Sequence, residues 1–280
     1  MMRGTSILML LGAAAMAYAT EVLHPILPPS TWASVEGAVD LDEDIYSADM
    51  NVSAEFALPM TGGKASLYVD GAFRFLSFSY EYSTKGYIHN YCNLHVNGFN
   101  ETYVGAKFMP FVNEEADILK GAGLNVGWRF PPGEGSQRNR FHRLNIEPFY
   151  AFKFTQRLIL GTAFRYNRFF EKNDFAPGDE VGFKASLAWK FWWNESTQSG
   201  WIFDQVFLYQ NRIHESENLH MDKPYRKMKD DFHGYKMRFD LSRRFSALPI
   251  SLGLNYEIHE GTLFGFETGH RIGIFLKAGI

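Results

Sequence analysis

Residues 180–193 read EVGFKASLAWKFWW. Taken alternately, one side carries Val181, Phe183, Ala185, Leu187, Trp189, Phe191 and Trp193, and the other carries Gly182, Lys184, Ser186, Ala188, Lys190 and Trp192. A period of two is that of a β-strand, whose successive side chains point to opposite faces. Charge is confined to one face. The same split recurs in about a dozen segments from residue 32 onward, and the apolar side of each carries no charged residue. A water-soluble barrel packs apolar residues inside and lets polar ones onto its outer surface. A membrane barrel inverts this, with lipid outside and polar side chains in the lumen. The expected fold is therefore all-β: a transmembrane antiparallel up-and-down β-barrel of about 12 strands.

The alternation places strands at 32–41, 50–58, 64–75, 101–109, 123–130, 143–154, 157–167, 180–193, 200–210, 234–242, 248–259 and 268–280. Their lengths suit a tilted crossing of roughly 9–11 residues. With the C-terminus on the periplasmic side, the periplasmic links are 59–63, 110–122, 155–156, 194–199 and 243–247. The external links are 42–49, 76–100, 131–142, 168–179, 211–233 and 260–267. The longest connections fall outside and the tightest mostly inside, as in bacterial barrels. Around the link 110–122, the run NEEADILKGAG (113–123) suggests a short periplasmic helix. Pro148, lacking an N–H, is expected to force a bulge. The strand at 200–210 is apolar on both sides, with Ile202, Val206 and Leu208 opposite Phe203 and Phe207. Trp189, Phe191, Trp193 and Trp201 gather at one end of their strands, and Tyr166, Tyr209, Tyr235 and Tyr256 at the other, as two interfacial belts would.

Residues 1–19 read as a signal peptide: Arg3 supplies a positive start, 7–15 is a short apolar run, and Ala17-Tyr18-Ala19 fits a small-x-small cleavage site. Residues 20–31 contain the proline-rich LHPILPPS and form an extended periplasmic leader before the barrel at 32–280. At the other end, in 271–280 (RIGIFLKAGI), Ile272, Ile274, Leu276, Ala278 and Ile280 alternate with Arg271, Gly273, Phe275, Lys277 and Gly279. This resembles the terminal strand by which bacterial outer-membrane barrels are recognised for assembly, with Ile280 where the motif has an aromatic residue. The resemblance implies the outer membrane of a Gram-negative-type bacterium, with periplasmic termini. The partners it implies are outer-membrane lipid and the barrel-assembly machinery.

Composition excludes other classes. A net charge of −3 argues against a nucleic-acid partner. The single cysteine, Cys92, excludes an intrachain disulfide framework. Mean hydropathy is only −0.23, because a polar lumen and loops offset the lipid face. Nothing in the sequence implies a cofactor.

The inward phase carries Glu36, Glu55, Asp70, Arg74, Glu101, Lys107, Arg129, Glu147, Lys153 and Arg165. It continues with Lys184, Lys190, Asp204, Lys236, Arg238, Asp240, Glu257, Arg271 and Lys277. Both signs are present with a modest basic excess, and many should pair, since an unpaired charge in a narrow lumen is costly. Small inward residues such as Gly105, Gly127, Gly161, Gly182, Gly253 and Gly273 leave an open pore and a side-chain plug both possible. In the loops, Asp42, Glu43, Asp44 and Asp49 form an acidic stretch that would suit a divalent cation or simply be solvated. His89, Cys92 and His95 are metal-ligand types, although at this spacing an extended chain turns Cys92 away from both histidines. His214-Glu215-Ser216 resembles the His-x-Ser pair of outer-membrane phospholipases, which implies a histidine-activated serine nucleophile; Glu217 and Asn218 follow where that family has Asn-Gly. The leading expectation is a narrow passive channel for small solutes with a slight preference for anions. The alternative is a non-conducting structural or surface-recognition barrel acting through loops 76–100 and 211–233, and a lipid hydrolase comes third.

Overall fold

The structure is a computed structural model, and it describes residues 23–41, 45–83, 89–113, 120–131, 141–170, 175–176, 178–213, 216–218, 227–228, 233–246, 249–261 and 269–279. Its strands are β1 (Trp32–Leu41), β2 (Ile45–Ala57), β3 (Ala65–Ser83), β4 (His89–Asn113), β5 (Lys120–Phe130), β6 (Arg143–Thr155), β7 (Leu158–Phe169) and β8 (Phe175–Ala176). They continue as β9 (Glu180–Asn194), β10 (Ser199–Arg212), β11 (Ser216–Asn218), β12 (Lys227–Met228), β13 (His233–Arg244), β14 (Ile250–Gly261) and β15 (Gly269–Gly279). Twelve of them form one closed antiparallel ring in the order β1-β2-β3-β4-β5-β6-β7-β9-β10-β13-β14-β15. The ring shuts where β1 meets β15, from Trp32 opposite Gly279 to Asp40 opposite Arg271. The short β8, β11 and β12 make a separate sheet within the long links at one end, called here the loop end. At the other end, the turn end, sit the tight connections at 58–64, 156–157 and 195–198.

Each barrel strand segregates its side chains as a lipid-facing wall requires. Leu254 and Ile274 lie opposite each other on β14 and β15, and both are 59% exposed on the outer surface. One residue on, Asn255 is 3% exposed and faces inward. Val35, Val52, Phe108, Phe164 and Leu276 repeat the pattern around the ring. Apolar side chains so exposed in every strand would be costly in water and are at no cost in hydrocarbon. The all-round closure removes any strand edge, so backbone N–H and C=O groups are satisfied without water.

The structure corrects several expectations. Link 76–100 is mostly strand: β3 and β4 pair with each other from Phe73 opposite Phe99 to Ser83 opposite His89. Among the described residues, β3 has no partner in β2 beyond Phe78, and β4 has none in β5 before Thr102. The hairpin therefore projects past the ring as a two-stranded arm. Link 42–49 is also shorter, because β2 begins at Ile45 and carries Asp49 into the lumen rather than into a loop. Pro148 causes no bulge. It sits opposite Leu124 in unbroken register, and β6 keeps one register with β7 on both sides of it. The missing N–H interrupts one ladder contact but adds no residue to the strand. Bulges occur instead in β4, between Phe108 and Phe111, and in β6, between Lys153 and Thr155.

The decisive stretch 180–193 holds one exception. Trp192 has φ +46°, a left-handed conformation that shifts the register between β9 and β10. The alternation changes phase there: Trp192 is 80% exposed, and Trp193 turns inward and is buried. Gly200 makes this possible. Its φ is +156°, and a side chain there would meet the backbone of Trp192 and Trp193 at 2.8 Å. In β10 the two apolar sides resolve cleanly, with Val206 and Leu208 buried inside and Tyr209 exposed outside. The run expected to be helical is strand at both ends, with Asn113 closing β4 and 120–123 opening β5; its middle, 114–119, lies outside the described residues, as does the signal peptide.

Leu254→Arg should destabilise the folded barrel by about 2–4 kcal/mol, the cost of a cation near the bilayer midplane. Equilibrium unfolding in denaturant with lipid vesicles measures it, and Leu254→Phe should leave the midpoint nearly unchanged.

Candidate functional site

The residues that precede the barrel wall are the first to matter inside it. Leu23, Pro25 and Ile26 are buried although no strand contains them. Trp32 begins β1, yet the Ile26 side chain lies against Gly161 of β7, where an added Cβ would stand 2.5 Å from Ile26 Cβ. In the ring order five strands separate β1 from β7 whichever way one counts. The segment 23–31 therefore lies inside the lumen between two walls, with Ile26 against β7 and His24 reaching back to β2 and β3. Three proline rings, Pro25, Pro28 and Pro29, remove N–H groups and suit a chain that joins no ladder.

The leader is fastened unevenly. Near β1, the Ser30 backbone N–H and Trp32 Nε1 donate to the two carboxylate oxygens of Glu55, at 3.3 and 2.9 Å. Ser66 Oγ donates to the same carboxylate at 2.6 Å, and Lys107 Nζ at 2.9 Å. His24 Nε2 lies 3.3 Å from Ser53 Oγ and 3.4 Å from Asp70 Oδ1. On the far wall the Ile26 N–H donates to Ser186 Oγ at 2.9 Å. The rest of that contact is apolar, a cluster of Ile26 with Met109, Phe149, Ala151 and Ala163.

The wall itself is lined by charges that neutralise one another. Arg238 reaches Glu36 at 2.6 Å and Asp240 at 2.7 Å, and Arg271 reaches Asp49 at 3.1 Å and Glu36 at 3.7 Å. Glu147 is flanked by Arg165 at 2.8 Å and Lys184 at 3.7 Å. Lys236 pairs with Glu257 at 3.0 Å, and Arg212 with Glu180 at 3.1 Å. Between these clusters runs a neutral chain: Tyr68 donates to Tyr103, Tyr103 to Asn145 at 2.9 Å, Asn145 to Asn167 at 2.8 Å, and Asn167 to Glu180 at 3.3 Å. Arg129 lies 5.1 Å over the Tyr103 ring. These buried charges thus have partners, as a low-dielectric interior demands, whereas the amide groups of Gln210 and Asn255 have no hydrogen-bond partner among the described residues.

The inward glycines do not widen the bore. A Cβ on Gly105 would stand 2.5 Å from the Tyr68 ring, and one on Gly127 would stand 2.2 Å from the Tyr103 ring. They let aromatic rings lie flat against the wall.

Of the inward residues expected from the alternation, Glu36, Glu55, Lys107, Arg129, Glu147, Arg165, Lys184, Lys236, Arg238, Glu257 and Arg271 stand in these networks. Asp70, Asp204 and Asp240 lie on the same inner face. Lys153, Lys190 and Lys277 line its turn end. The backbones of Arg74 and Glu101 belong to β3 and β4, and their side chains are outside the described residues. So are the side chains of His89, Cys92, His95 and Ser216, and all of His214 and 42–44. His89 and His95 are six positions apart on one strand, about 20 Å along it. No cluster of metal-ligand side chains occurs among the described residues. Sequence reasoning missed Asp40, Asp49, Arg143, Asn145, Asn167, Glu180, Gln210 and His259, all buried in the lumen. Asp40, Arg143, Asn145, Asn167, Glu180 and His259 were in phase with their inward neighbours, so the alternation already pointed to them.

The same architecture occurs in known proteins. An outer-membrane channel from Pseudomonas putida F1 superposes with a TM-score of 0.67 at 10% identity, covering 93% of this chain and 100% of the other. The NanC porin superposes with a TM-score of 0.53 at 9% identity, covering 89% and 100%. No family model matches the chain, and no curated protein matches it in sequence. The chain has the fold of bacterial outer-membrane β-barrels.

Glu55→Leu should strand Lys107 and release Ser30 and Trp32, at a cost of about 3–5 kcal/mol for the broken buried pair. Hydrogen exchange should quicken across 23–31, and adding Lys107→Met should recover part of the loss.

Proposed function

We propose that the chain is a narrow passive channel of the bacterial outer membrane for small solutes, whose passage runs beside the leader. The observation that supports this most is the unequal fastening of 23–31. Its far side meets the wall through one hydrogen bond, Ile26 to Ser186, and through apolar contacts, among the described residues. A ring of twelve strands lies between the eight that side chains fill and the sixteen to eighteen of open aqueous pores. In such a bore one crossing segment decides what passes. The likeness to outer-membrane channels in fold agrees with this reading and with an outer-membrane location.

A slight anion preference belongs to the same proposal, with a revised origin. Lys107 is paired with Glu55, and Arg165 and Lys184 share Glu147. The surplus of positive charge is at the turn end. Periplasmic termini belong to the same proposal: the start of β1 and the end of β15 both lie at the turn end, and short turns are periplasmic in bacterial barrels.

Planar-bilayer recording of the refolded mature chain should give small discrete steps with mild anion selectivity. Removing residues 20–30 should raise the unit conductance several-fold. Silence of both forms, with the barrel folded, overturns the channel reading. It would favour a recognition barrel, for which the two-stranded arm of β3 and β4 offers a protruding surface. Orientation has its own test in a Cys92→Ser background. On whole cells a membrane-impermeant thiol reagent should label Ser216→Cys and leave Ser196→Cys unlabelled; the opposite pattern reverses the orientation.

A further inference from the structure

Cations at the turn end of the lumen differ from those at mid-height. Arg165, Lys184, Lys236, Arg238 and Arg271 are buried, and each has a carboxylate within 4 Å. Lys153, Lys190, Arg244 and Lys277 also occupy inward positions, but they are partly exposed. They stand on β6, β9, β13 and β15, so that one strand, β7, β10 or β14, separates each from the next around the ring. Arg244 and Lys277 are both register partners of Ser251 and flank it at one level.

The charges here do not balance. Lys190 is within electrostatic reach of Arg244 and Lys153, both like in sign. Asp204 is an inward acid within electrostatic reach of both Lys190 and Lys277. Glu195 also acts on Lys190, and at the rim it accepts from Arg157 and from Trp193 Nε1, each at 3.2 Å. Two of the cations are held in place by aromatic faces instead of carboxylates. Lys190 Nζ lies 4.7 Å from the Trp193 ring, and Lys277 Nζ lies 4.6 Å from the Trp32 ring. A ring face orients an ammonium group without using up its N–H donors. The change of phase at Trp192 is what brings Trp193 inward to do this.

We propose that this arc is a binding site for a small polyanion, a solute bearing two or more carboxylate or phosphate groups. The proposal deepens the channel reading by naming a solute class, and it rests on the turn end being open to solvent. Cations spaced on alternate strands suit separated anionic groups, since a monovalent ion would engage only one or two of them. Arg244 supplies a planar fork for an oxyanion, and the three lysines supply point charges with free donors. The bound anion would relieve the repulsion that Lys190 now feels.

The test is isothermal titration of the refolded mature chain in detergent with citrate and, separately, inorganic pyrophosphate. Saturable binding of at least one is expected. The tighter of the two identifies carboxylate or phosphate as the recognised group. Lys190→Gln with Arg244→Gln should weaken binding about tenfold for each charge removed, the usual worth of a charge-assisted contact. Lys190→Arg should retain it, and heat-modifiable migration shows that each variant is folded. Heat that never saturates and follows ionic strength alone overturns the site, as does unchanged affinity in the folded double variant. Binding without conductance removes the channel reading and leaves the site standing. Conductance without binding does the reverse.

Discussion

Pairing of β1 with β15 is the contact on which the rest of the molecule depends. A sheet of this size left open would present two rows of unsatisfied N–H and C=O groups to hydrocarbon, each costing several kcal/mol. The register from Trp32 opposite Gly279 to Asp40 opposite Arg271 removes both edges at once. It also fixes which side of every strand faces lipid, because a slip by one residue would turn each strand inside out. Closing the ring also brings Glu36 of β1 beside Arg271 of β15 and Arg238 of β13. The chain ends are thus joined by side chains as well as by backbone.

The enclosed charges follow from that closure. Once the polar faces are turned inward, their desolvation has to be offset by pairing. The clusters around Glu36, Glu55, Glu147 and Glu180 each join residues from different strands, and they link the wall transversely where the ladder links it lengthwise. Glu55 has a double role. It neutralises Lys107 within the wall and also anchors the leader through Ser30 and Trp32. The plug across the bore is therefore attached to the strand that its own chain pairs with first, β2 beside β1. Ile26 rests on the opposite wall, and His24 beyond it returns to β2 and β3.

Much of this was legible in the sequence, since a strand with lipid on one side reports its phase at every second residue. Phe183, Trp189, Leu254 and Ile274 could each be placed before any coordinates. Failures of the reading have local causes. The alternation of 76–100 changes phase, because Ser79, Glu81, Asn93 and Asn97 fall on the side that Phe73 and Phe75 began, while Leu76, Phe78, Leu94 and Val96 fall on the other, as suits an arm that projects beyond the lipid. Trp192 and Trp193 are chemically alike, so nothing in their identity betrays a change of phase; only Gly200, at a position demanding a positive φ, hinted at it. The leader's prolines read as an extended periplasmic segment before the barrel. Its remaining residues, Leu23, Ile26 and Leu27, were the overlooked signal, as a segment bathed in water has no use for them. Of the candidate site, the inward charges could be read individually. Their sorting into neutralised pairs and an unbalanced turn-end arc depends on side-chain reach across strands, which a one-dimensional pattern does not contain.

The leader's control of the bore is the central claim, and a reversible tether tests it most directly. In a Cys92→Ser background, Ile26→Cys and Ser186→Cys place thiols on the two partners of the far-wall hydrogen bond. Single-channel conductance of the folded double variant would be recorded oxidised, then after reduction on the same membrane. The account predicts a disulfide that forms readily, a low and quiet conductance while it is intact, and a larger, fluctuating conductance once it is reduced. Failure of the two thiols to join in the folded barrel, or identical conductance in both states, would contradict it.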